Sequence, residues 1–363
     1  MSESRYGDQG VVRSSAVRFD AGATNFAILN SESAMRCQGA LGYSKHSRGT
    51  SILQVQTSPK VAILLCTFDG QRYLADQLES FAAQTHFNWE VWASDDGSKD
   101  GTQAILKAYK SKWESGRLSI HLGPRQGFAA NFLSITRKAS TQANYFAFSD
   151  QDDIWEADKL QRAIDRLQAV PSNVPALYCS RTRVVDANNK AIGFSPLFKK
   201  TPSFANALIQ NIGGGNTMVF NVAASELMQK IGENQVIVAH DWWAYMVVCG
   251  CGGKVFYDAC PSLRYRQHDG SLIGVNVTWS ARLIRIRMMF QGRFRDWIDT
   301  NIAALQSLQS DLTPENREIL DRFAQARSSS LIPRLIGLKR SGIYRQTLFG
   351  NLGLFVAGIF KKI

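Results

Sequence analysis

Short apolar runs alternate with amphipathic stretches between residues 59 and about 200 of this chain. Residues 61–65 and 145–148 are continuous apolar runs of strand length, which is typical of a parallel sheet that is buried on both faces. Between them, Leu74, Leu78 and Phe81 have the spacing of the apolar face of a helix. This alternation predicts an α/β fold: a Rossmann-like, doubly wound and mostly parallel sheet with right-handed crossovers.

The same pattern predicts further elements on both sides of residue 200. Strands are expected near residues 90–93, 118–122, 176–178, 218–220, 255–257 and 263–265, and helices near residues 103–109, 128–132, 160–167 and 241–248. From about residue 278 to the end the pattern is helical and basic. The fold is therefore expected to carry a C-terminal helical extension.

The first 58 residues show no sustained periodicity and are rich in Ser, Gly, Ala and Arg. They are predicted to be a disordered N-terminal extension, or to result from a start codon assigned too early, with Met35 as one alternative start. The expected domains are this extension (1–58), a globular domain (59–275) and a basic helical region (276–363).

The composition indicates a folded protein and an anionic partner. The 363 residues are 45% hydrophobic and 20% charged, which excludes wholesale disorder. Lys and Arg number 42 against 30 Asp and Glu, so the formal net charge is +12. This excess suits an anionic partner, whether a nucleic acid, a negative membrane surface or a phosphorylated substrate, and composition alone does not choose among the three.

The cysteines and the lengths of the apolar runs indicate the cellular compartment of the protein. Six cysteines are scattered without the paired spacing of a zinc site, and we expect buried free thiols in a reduced, intracellular protein. The first 30 residues lack the apolar core of a signal peptide, and no stretch reaches about 18 apolar residues. The sequence therefore predicts a cytoplasmic protein without a membrane-spanning helix.

Three predicted strands end in acidic turns, at residues 66–70, 94–98 and 149–153. Ligands of open α/β sheets bind outside the carboxyl ends of the strands, so these turns predict a site at one edge. Carboxylates gathered there repel one another, and a divalent cation that also binds substrate phosphates would relieve this. Each turn also has a structural interpretation, because Asp95, Asp96 and Asp100 are typical turn and cap residues and Asp150 to Asp153 could cap the next helix.

An ordered set of motifs gives the chain a family resemblance. It comprises residues 66–70, 77–80, 84–85, 94–102, 149–155 and 266–268. Over residues 59 to about 270 the chain resembles family 2 glycosyltransferases of the GT-A fold, especially the bacterial rhamnosyltransferase-like branch. Ser271 stands where the pattern of that branch has Asn.

The resemblance implies a donor site at the acidic turns. The nucleotide would be held by the backbone at Cys66, the ring of Phe68, the carboxylate of Asp96 on the pyrimidine, and Asp150 near the ribose. Asp152 would bind Mg²⁺ or Mn²⁺ at the diphosphate, with His268 as a second contributor. The role of Asp153, supporting these residues or contacting the sugar, stays open. Arg264 and Arg266 could pair with phosphate.

The resemblance also implies an acceptor side. Asp241 would be the general base at the start of a helix, or would only cap that helix. Trp242 and Trp243 would form a sugar-stacking surface or belong to the core. Gly215 and Asn216 would let the backbone approach the acceptor sugar, or would only make a turn.

The C-terminal residues are basic and partly apolar. From residue 331 onwards there are six Lys and Arg and no acid, together with an apolar run that is too short to span a bilayer. This favours an in-plane amphipathic helix on an anionic cytoplasmic membrane face. The alternative is a helix that packs on its own domain or on a partner.

Together with these features, the resemblance implies an inverting, metal-dependent glycosyltransferase of the hexosyltransferase type. Its donor would be a dTDP- or UDP-sugar, and the branch resemblance alone makes rhamnose the first expectation. Its acceptor would be a saccharide or lipid-linked glycan in cell-surface polysaccharide biosynthesis. The alternatives are a sugar nucleotidyltransferase, a non-catalytic glycan-binding relative and a basic nucleic-acid-binding protein. No nucleic acid partner is expected, because the basic residues concentrate in the tail and acids line the predicted site.

Overall fold

The computed structural model describes residues 58–139, 143–232, 235–267 and 292–363, and within these ranges eleven strands form two sheets. In chain order the strands are β1 (Val61–Thr67), β2 (Trp89–Asp95), β3 (Leu118–Leu122), β4 (Tyr145–Ser149), β5 (Ile154–Trp155), β6 (Ala176–Ser180), β7 (Arg183–Val185), β8 (Ala191–Phe194), β9 (Val219–Asn221), β10 (Lys254–Asp258) and β11 (Leu263–Arg266).

The larger sheet has seven strands in the order β10-β6-β9-β4-β1-β2-β3. Neighbouring pairs are parallel except where β9 lies antiparallel between β4 and β6. The smaller sheet has the order β5-β11-β7-β8 and pairs β11 parallel to β7 but antiparallel to β5. The chain therefore builds one mostly parallel sheet with a small mixed sheet.

Helices connect and follow the strands. In chain order they are α1 (Leu74–Ala82), α2 (Thr102–Lys112), α3 (Phe128–Ala139), α4 (Lys159–Leu167), α5 (Phe204–Ala207), α6 (Val222–Gln229), α7 (His240–Gly250), α8 (Arg293–Gln306), α9 (Pro314–Ser328), α10 (Leu331–Arg340) and α11 (Leu348–Ile359). A 3-10 turn at Gly215–Thr217 leads into β9.

The core lies on both faces of the large sheet. All seven residues of β1 are buried. Leu64 belongs to one apolar cluster together with Phe132 of α3, and Ile63 belongs to the opposite cluster together with Leu78 of α1 and Leu160 of α4. Because helices cover both faces, both sets of alternating side chains in a central strand are apolar. The predicted α/β fold, a doubly wound and mostly parallel sheet with C-terminal helices, is confirmed.

The small sheet is the part of the fold that the hydrophobic pattern does not predict. Its strands are two to four residues long, and β8 is largely exposed, so they lack a run long enough to show alternation. The predicted strand near residues 263–265 exists as β11, but it pairs in this small sheet.

Several expectations fall partly or wholly outside the described residues. These are the disordered extension predicted for residues 1–58, except Ser58, the start of the C-terminal region at residues 276–291, and His268. The five cysteines within the described ranges form no disulfide. Among the helices that the structure describes, none is long and apolar enough to cross a membrane.

Candidate active site

The three acidic turns meet at the carboxyl edge of the large sheet. In the parallel ladders Thr67 of β1 pairs with Asp95 of β2, and Leu65 of β1 pairs with Ser149 of β4. Each turn begins immediately after its strand, so residues 68–70, 96–98 and 150–153 lie next to one another. The sequence therefore places its acidic groups in one site.

A pair of hydrogen bonds joins the first turn to the third. The backbone N–H of Phe68 donates to Oε1 of Gln151 at 2.8 Å, and Nε2 of Gln151 donates to the carbonyl oxygen of Phe68 at 2.9 Å. A Cβ atom at Gly70 would lie 2.1 Å from the same Oε1, so a larger residue there would displace the amide. The amide of Gln151 thus fixes the backbone beside the exposed ring of Phe68.

Asp95 and Asp96 have mainly structural partners. Burial alone would raise the pKa of Asp95, but hydrogen bonds from Ser98, Gln103 and Thr67 outweigh it and lower that pKa. The carboxylate of Asp96 accepts from the backbone N–H groups of residues 125 and 127, at 2.6 and 3.0 Å. Asp96 therefore holds the loop before α3, and its contact with a pyrimidine stays a prediction.

Asp150 lies within electrostatic range of two other acids. Its burial raises its pKa, and the charges of Asp152 and Asp241 raise it further. Asp241 is 89 residues or more away along the sequence, so the fold brings it near the third acidic turn.

Asp153 is fully buried, and its carboxylate binds other groups of the protein. It accepts hydrogen bonds from the side-chain amide of Asn216 and, at 3.2 Å, from the backbone N–H of Arg266. Its burial raises its pKa, and the charges of Asp152 and Asp150 act in the same direction. Of the two roles left open for Asp153, the structure favours support of the turn over contact with a sugar.

Arg266 belongs to the same support, contrary to the expectation that it could pair with phosphate. Its side chain is buried, donates from Nε to the carbonyl oxygen of Asp152 at 3.0 Å and pairs with Asp76 at 2.8 Å. Arg264 pairs with Glu156 at 3.2 Å. Both guanidinium groups are thus occupied by groups of the protein.

Asp241 is the second residue of α7. Its Oδ1 accepts from the backbone N–H of Trp242 at 2.7 Å and its Oδ2 from that of Gly215 at 3.1 Å. Burial raises the pKa of Asp241 to about 6, although these hydrogen bonds oppose the shift. A carboxylate with a pKa near neutrality at a site edge is suited to general base catalysis, while its bonds also help to cap the helix.

His240, which is not among the residues predicted from the sequence, explains the glycine at position 215. Its buried ring stacks on Phe132 with 3.7 Å between ring centroids. A Cβ atom at Gly215 would lie 2.3 Å from Nε2 of His240. Burial lowers the pKa of His240 to about 3, so the ring is neutral. Packing against this ring requires a glycine at position 215. This explains the glycine without any contact to an acceptor sugar.

The structure corrects the sugar contacts expected of three other residues. Trp243 has no exposed surface and its Nε1 donates to the carbonyl oxygen of Met228 at 3.3 Å, while Trp242 is buried and donates to that of Ala207 at 2.6 Å. Asn216 is buried against Asp153. An indole without an exposed face cannot stack on a sugar, so the core interpretation of both tryptophans holds.

Two predicted nucleotide contacts remain compatible with their positions. Cys66 lies near the end of β1, and burial raises the pKa of its thiol well above the usual value, so only its backbone suits the predicted role. The ring of Phe68 is exposed immediately after β1, where it is accessible to a nucleotide base.

We expect Gln151→Ala to weaken donor binding more than it slows transfer. The substitution removes two hydrogen bonds, each worth about 0.5–1.5 kcal/mol, so the backbone at Phe68 loses its fixed position. The KM for the donor should rise about tenfold or more, while kcat changes less. Steady-state kinetics check this. Gln161→Ala is the matched control, because Gln161 is exposed and donates to Asp165 in its own helix. A KM unchanged in both variants would contradict the positioning role.

Comparison with known proteins relates the acidic turns to a known family. The family model for "Glycosyl transferase family 2" matches residues 62–227, which include all three acidic turns. The chain therefore contains a glycosyltransferase family 2 domain, over residues 62–227. This confirms the resemblance drawn from the motifs.

Two curated proteins and one solved structure illustrate what this chain is similar to. The dTDP-rhamnosyl transferase RfbG of Shigella flexneri is 28% identical over 241 residues, covering 62% of this chain and 78% of that protein. The putative teichuronic acid biosynthesis glycosyltransferase TuaG of Bacillus subtilis is 32% identical over 107 residues, covering 30% and 41%. The crystal structure of S. aureus TarS 1-349 with UDP-GlcNAc is similar with a TM-score of 0.47 and 16% identity, covering 78% and 93%.

The side chains of this site can be compared with the ligands that a metal ion requires. Within residues 58–139, 143–232, 235–267 and 292–363, no three His, Cys, Asp or Glu side chains form a cluster that could hold a metal. Asp150 and Asp152 supply two carboxylates on one turn, and Mg²⁺ usually takes one or two carboxylates plus substrate phosphate oxygens. The charge repulsion at Asp150 is relieved by a cation. The pair therefore fits a divalent ion that binds together with a diphosphate.

Proposed function

We propose that this family 2 glycosyltransferase transfers a sugar with inversion from a dTDP- or UDP-sugar to a saccharide or lipid-linked glycan acceptor. The transfer would serve the assembly of a cell-surface polysaccharide. One observation carries the proposal: the charge of Asp241 raises the pKa of Asp150, although the two residues come from distant parts of the chain. A base and a diphosphate site are the two parts that direct displacement needs. The relation to the dTDP-rhamnosyl transferase RfbG supports rhamnose as the transferred sugar.

On the donor side, Phe68 and the backbone at Cys66 would hold the base, with Asp96 on the pyrimidine and Asp150 near the ribose. Asp152, with Asp150 beside it, would hold Mg²⁺ or Mn²⁺, and His268 is the further proposed contributor. When bound, the metal would offset the negative charge that develops on the departing nucleoside diphosphate. Gln151 and Arg266 keep the backbone of both turns in place.

On the acceptor side, Asp241 would take the proton of the attacking hydroxyl. The acceptor oxygen bonds to the anomeric carbon as the bond from that carbon to the diphosphate oxygen breaks. A single displacement of this kind inverts the anomeric centre. With a pKa of about 6, most of the Asp241 carboxylate is ionised at pH 7 and yet basic enough to accept a proton.

A thermal-shift screen of the purified protein with nucleotides tests the donor site. We expect dTDP or UDP to stabilise the protein only when Mn²⁺ is present, because the metal joins the diphosphate to the acidic turn. At about 100 times the dissociation constant the gain is about 2.7 kcal/mol. GDP, ADP and NAD are the control ligands. If no nucleotide raises the melting temperature in the presence of Mn²⁺, the donor site is wrong and a binding module becomes the better interpretation.

The rate of transfer should depend on pH through Asp241. Because the ionised form is the base, kcat/KM should fall below an apparent pKa of about 6 and level off above it. The folded-state pKa is raised above its usual value, so this group favours folding when protonated, and that contribution is lost as the pH rises through about 6. Melting temperatures measured over the same pH range separate a loss of base from unfolding. An acid limb near pH 4 would contradict the assignment.

A further inference from the structure

The last helix of the chain exposes one apolar side. In α11 the side chains of Leu348, Leu352, Phe355 and Ile359 recur at intervals of four, three and four residues, which places them on one side of the helix. All four are exposed, as is the neighbouring Phe349, and Leu348 and Phe349 reach 82% and 83%. A helix that packs on its own domain would bury this side.

The preceding helix extends the same kind of surface. Leu331, Ile332 and Ile336 of α10 are exposed. The two helices pack closely: a Cβ atom at Gly358 would lie 2.9 Å from Leu338, and the buried Arg334 donates to the carbonyl oxygen of Gly358 at 3.0 Å. We call this pair of helices, residues 331–360, the C-terminal hairpin.

The hairpin is fixed to the rest of the protein. Between its helices, Gln346 exchanges two hydrogen bonds with the backbone of Lys200, at 3.0 and 3.1 Å. The side chain of Asn206 in α5 donates to the carbonyl oxygen of Tyr344 at 2.8 Å. The exposed apolar side is therefore a surface of the folded protein and is held at a defined place.

The charged residues of the hairpin itself have one sign. Lys339, Arg340 and Lys361 are exposed, and Arg345 and Lys362 are half-buried. No Asp or Glu occurs after Asp321 in the sequence. A segment with exposed apolar side chains whose charged residues are all cations is complementary to a layer of anionic headgroups over hydrocarbon, where each basic residue near the surface adds to binding.

We propose that the C-terminal hairpin docks on an anionic lipid bilayer, with the apolar side of α11 in the headgroup and acyl boundary. The twelve residues of α11 extend about 18 Å, which is less than the hydrocarbon thickness of about 30 Å, so the helix lies in the plane of the membrane. Docking deepens the proposed function, because it brings the site to acceptors carried on lipid. It does not depend on the donor chemistry, since it is measured without substrate.

Co-sedimentation of the full-length protein with vesicles tests the proposal. Vesicles of phosphatidylcholine with about one third phosphatidylglycerol should sediment the protein, and phosphatidylcholine alone should sediment much less. High salt should weaken binding, because it screens the basic residues. The double variant Leu348→Ser, Phe349→Ser should bind at least about tenfold more weakly, since burying one large apolar side chain is worth about a factor of ten or more.

Two matched controls separate the hairpin from general effects. Phe87→Ser with Leu122→Ser removes two apolar side chains that are 69% and 73% exposed elsewhere, and it should bind like the wild type. Lys361→Glu with Lys362→Glu should weaken binding, whereas Lys107→Glu with Lys110→Glu, in α2, should weaken it less.

Three outcomes overturn the proposal. One is a wild-type protein that does not sediment with anionic vesicles, and another is a hairpin variant that binds as well as the control. The third is a dimer in light scattering that Leu348→Ser, Phe349→Ser makes monomeric, since the surface is then an interface between two copies. Nucleotide binding by the same preparations shows whether the donor site works, so the failure of either proposal is recognised separately.

Discussion

Asp241→Asn should leave donor binding intact and slow sugar transfer by about 10² to 10⁴, the usual contribution of a general base. The amide is nearly isosteric, so α7 and the turn at Gly215 should keep their places, although an amide nitrogen cannot accept the hydrogen bond that one carboxylate oxygen now accepts. Single-turnover transfer at saturating donor measures the chemical step, and titration with the nucleotide measures binding.

Asp158→Asn is the control for this experiment. Asp158 stands at the N-cap of α4 and is paired with Arg162, so it tests the loss of a carboxylate at a helix start outside the acidic turns. It should transfer sugar at the wild-type rate. If Asp241→Asn also does so while remaining folded, another residue takes the proton and Asp241 only caps its helix.

Asp152→Ala should remove the effect of the metal on donor binding. With the carboxylate gone, affinity for dTDP or UDP in Mn²⁺ should fall to the affinity without metal, and transfer should slow by about 10² to 10³, as for the loss of one electrostatic stabiliser of the leaving group. The backbone carbonyl that Arg266 binds is kept in alanine, so the turn should stay in place. Calorimetric titration of the nucleotide with and without Mn²⁺ measures the difference.

Asp165→Ala controls for the loss of one acidic side chain. Asp165 is exposed in α4 and accepts a hydrogen bond from Gln161 of the same helix, so its removal should leave the metal dependence unchanged. A nucleotide affinity of Asp152→Ala that still responds to Mn²⁺ as in the wild type would transfer the metal role to Asp150 or to residues outside the described ranges.

The fold could be predicted where burial dictates the pattern. A strand such as β1 is apolar throughout because helices cover both faces of its sheet, and that leaves an unmistakable run in the sequence. The antiparallel placement of β9 and the pairing of the two-residue β5 with β11 could not be predicted, because strand direction and pairing depend on partners that are distant along the chain.

The site was predictable to the level of its turns and less so for single side chains. The motifs put acidic residues directly after three strands. Because the ends of these strands meet at one edge of the sheet, the motifs alone indicate a shared site. Whether an acid faces a ligand or the interior depends on three-dimensional contacts: Asp153 lies against Asn216 and Arg266, but in the sequence it simply follows Asp152 in the same turn. Trp243 lies two residues after Asp241 whether it contacts a sugar or belongs to the core, and only its burial decides between the two interpretations.

The contact between Gly70 and Gln151 constrains how this sequence can change. Any side chain at position 70 displaces the amide that holds Phe68, so an alanine there and an alanine at position 151 damage the same pair of hydrogen bonds. Their effects on donor KM should not add. Among relatives, the two positions should therefore covary: a glycine at 70 accompanies a glutamine between the aspartates, and larger residues at 70 occur where that glutamine is replaced.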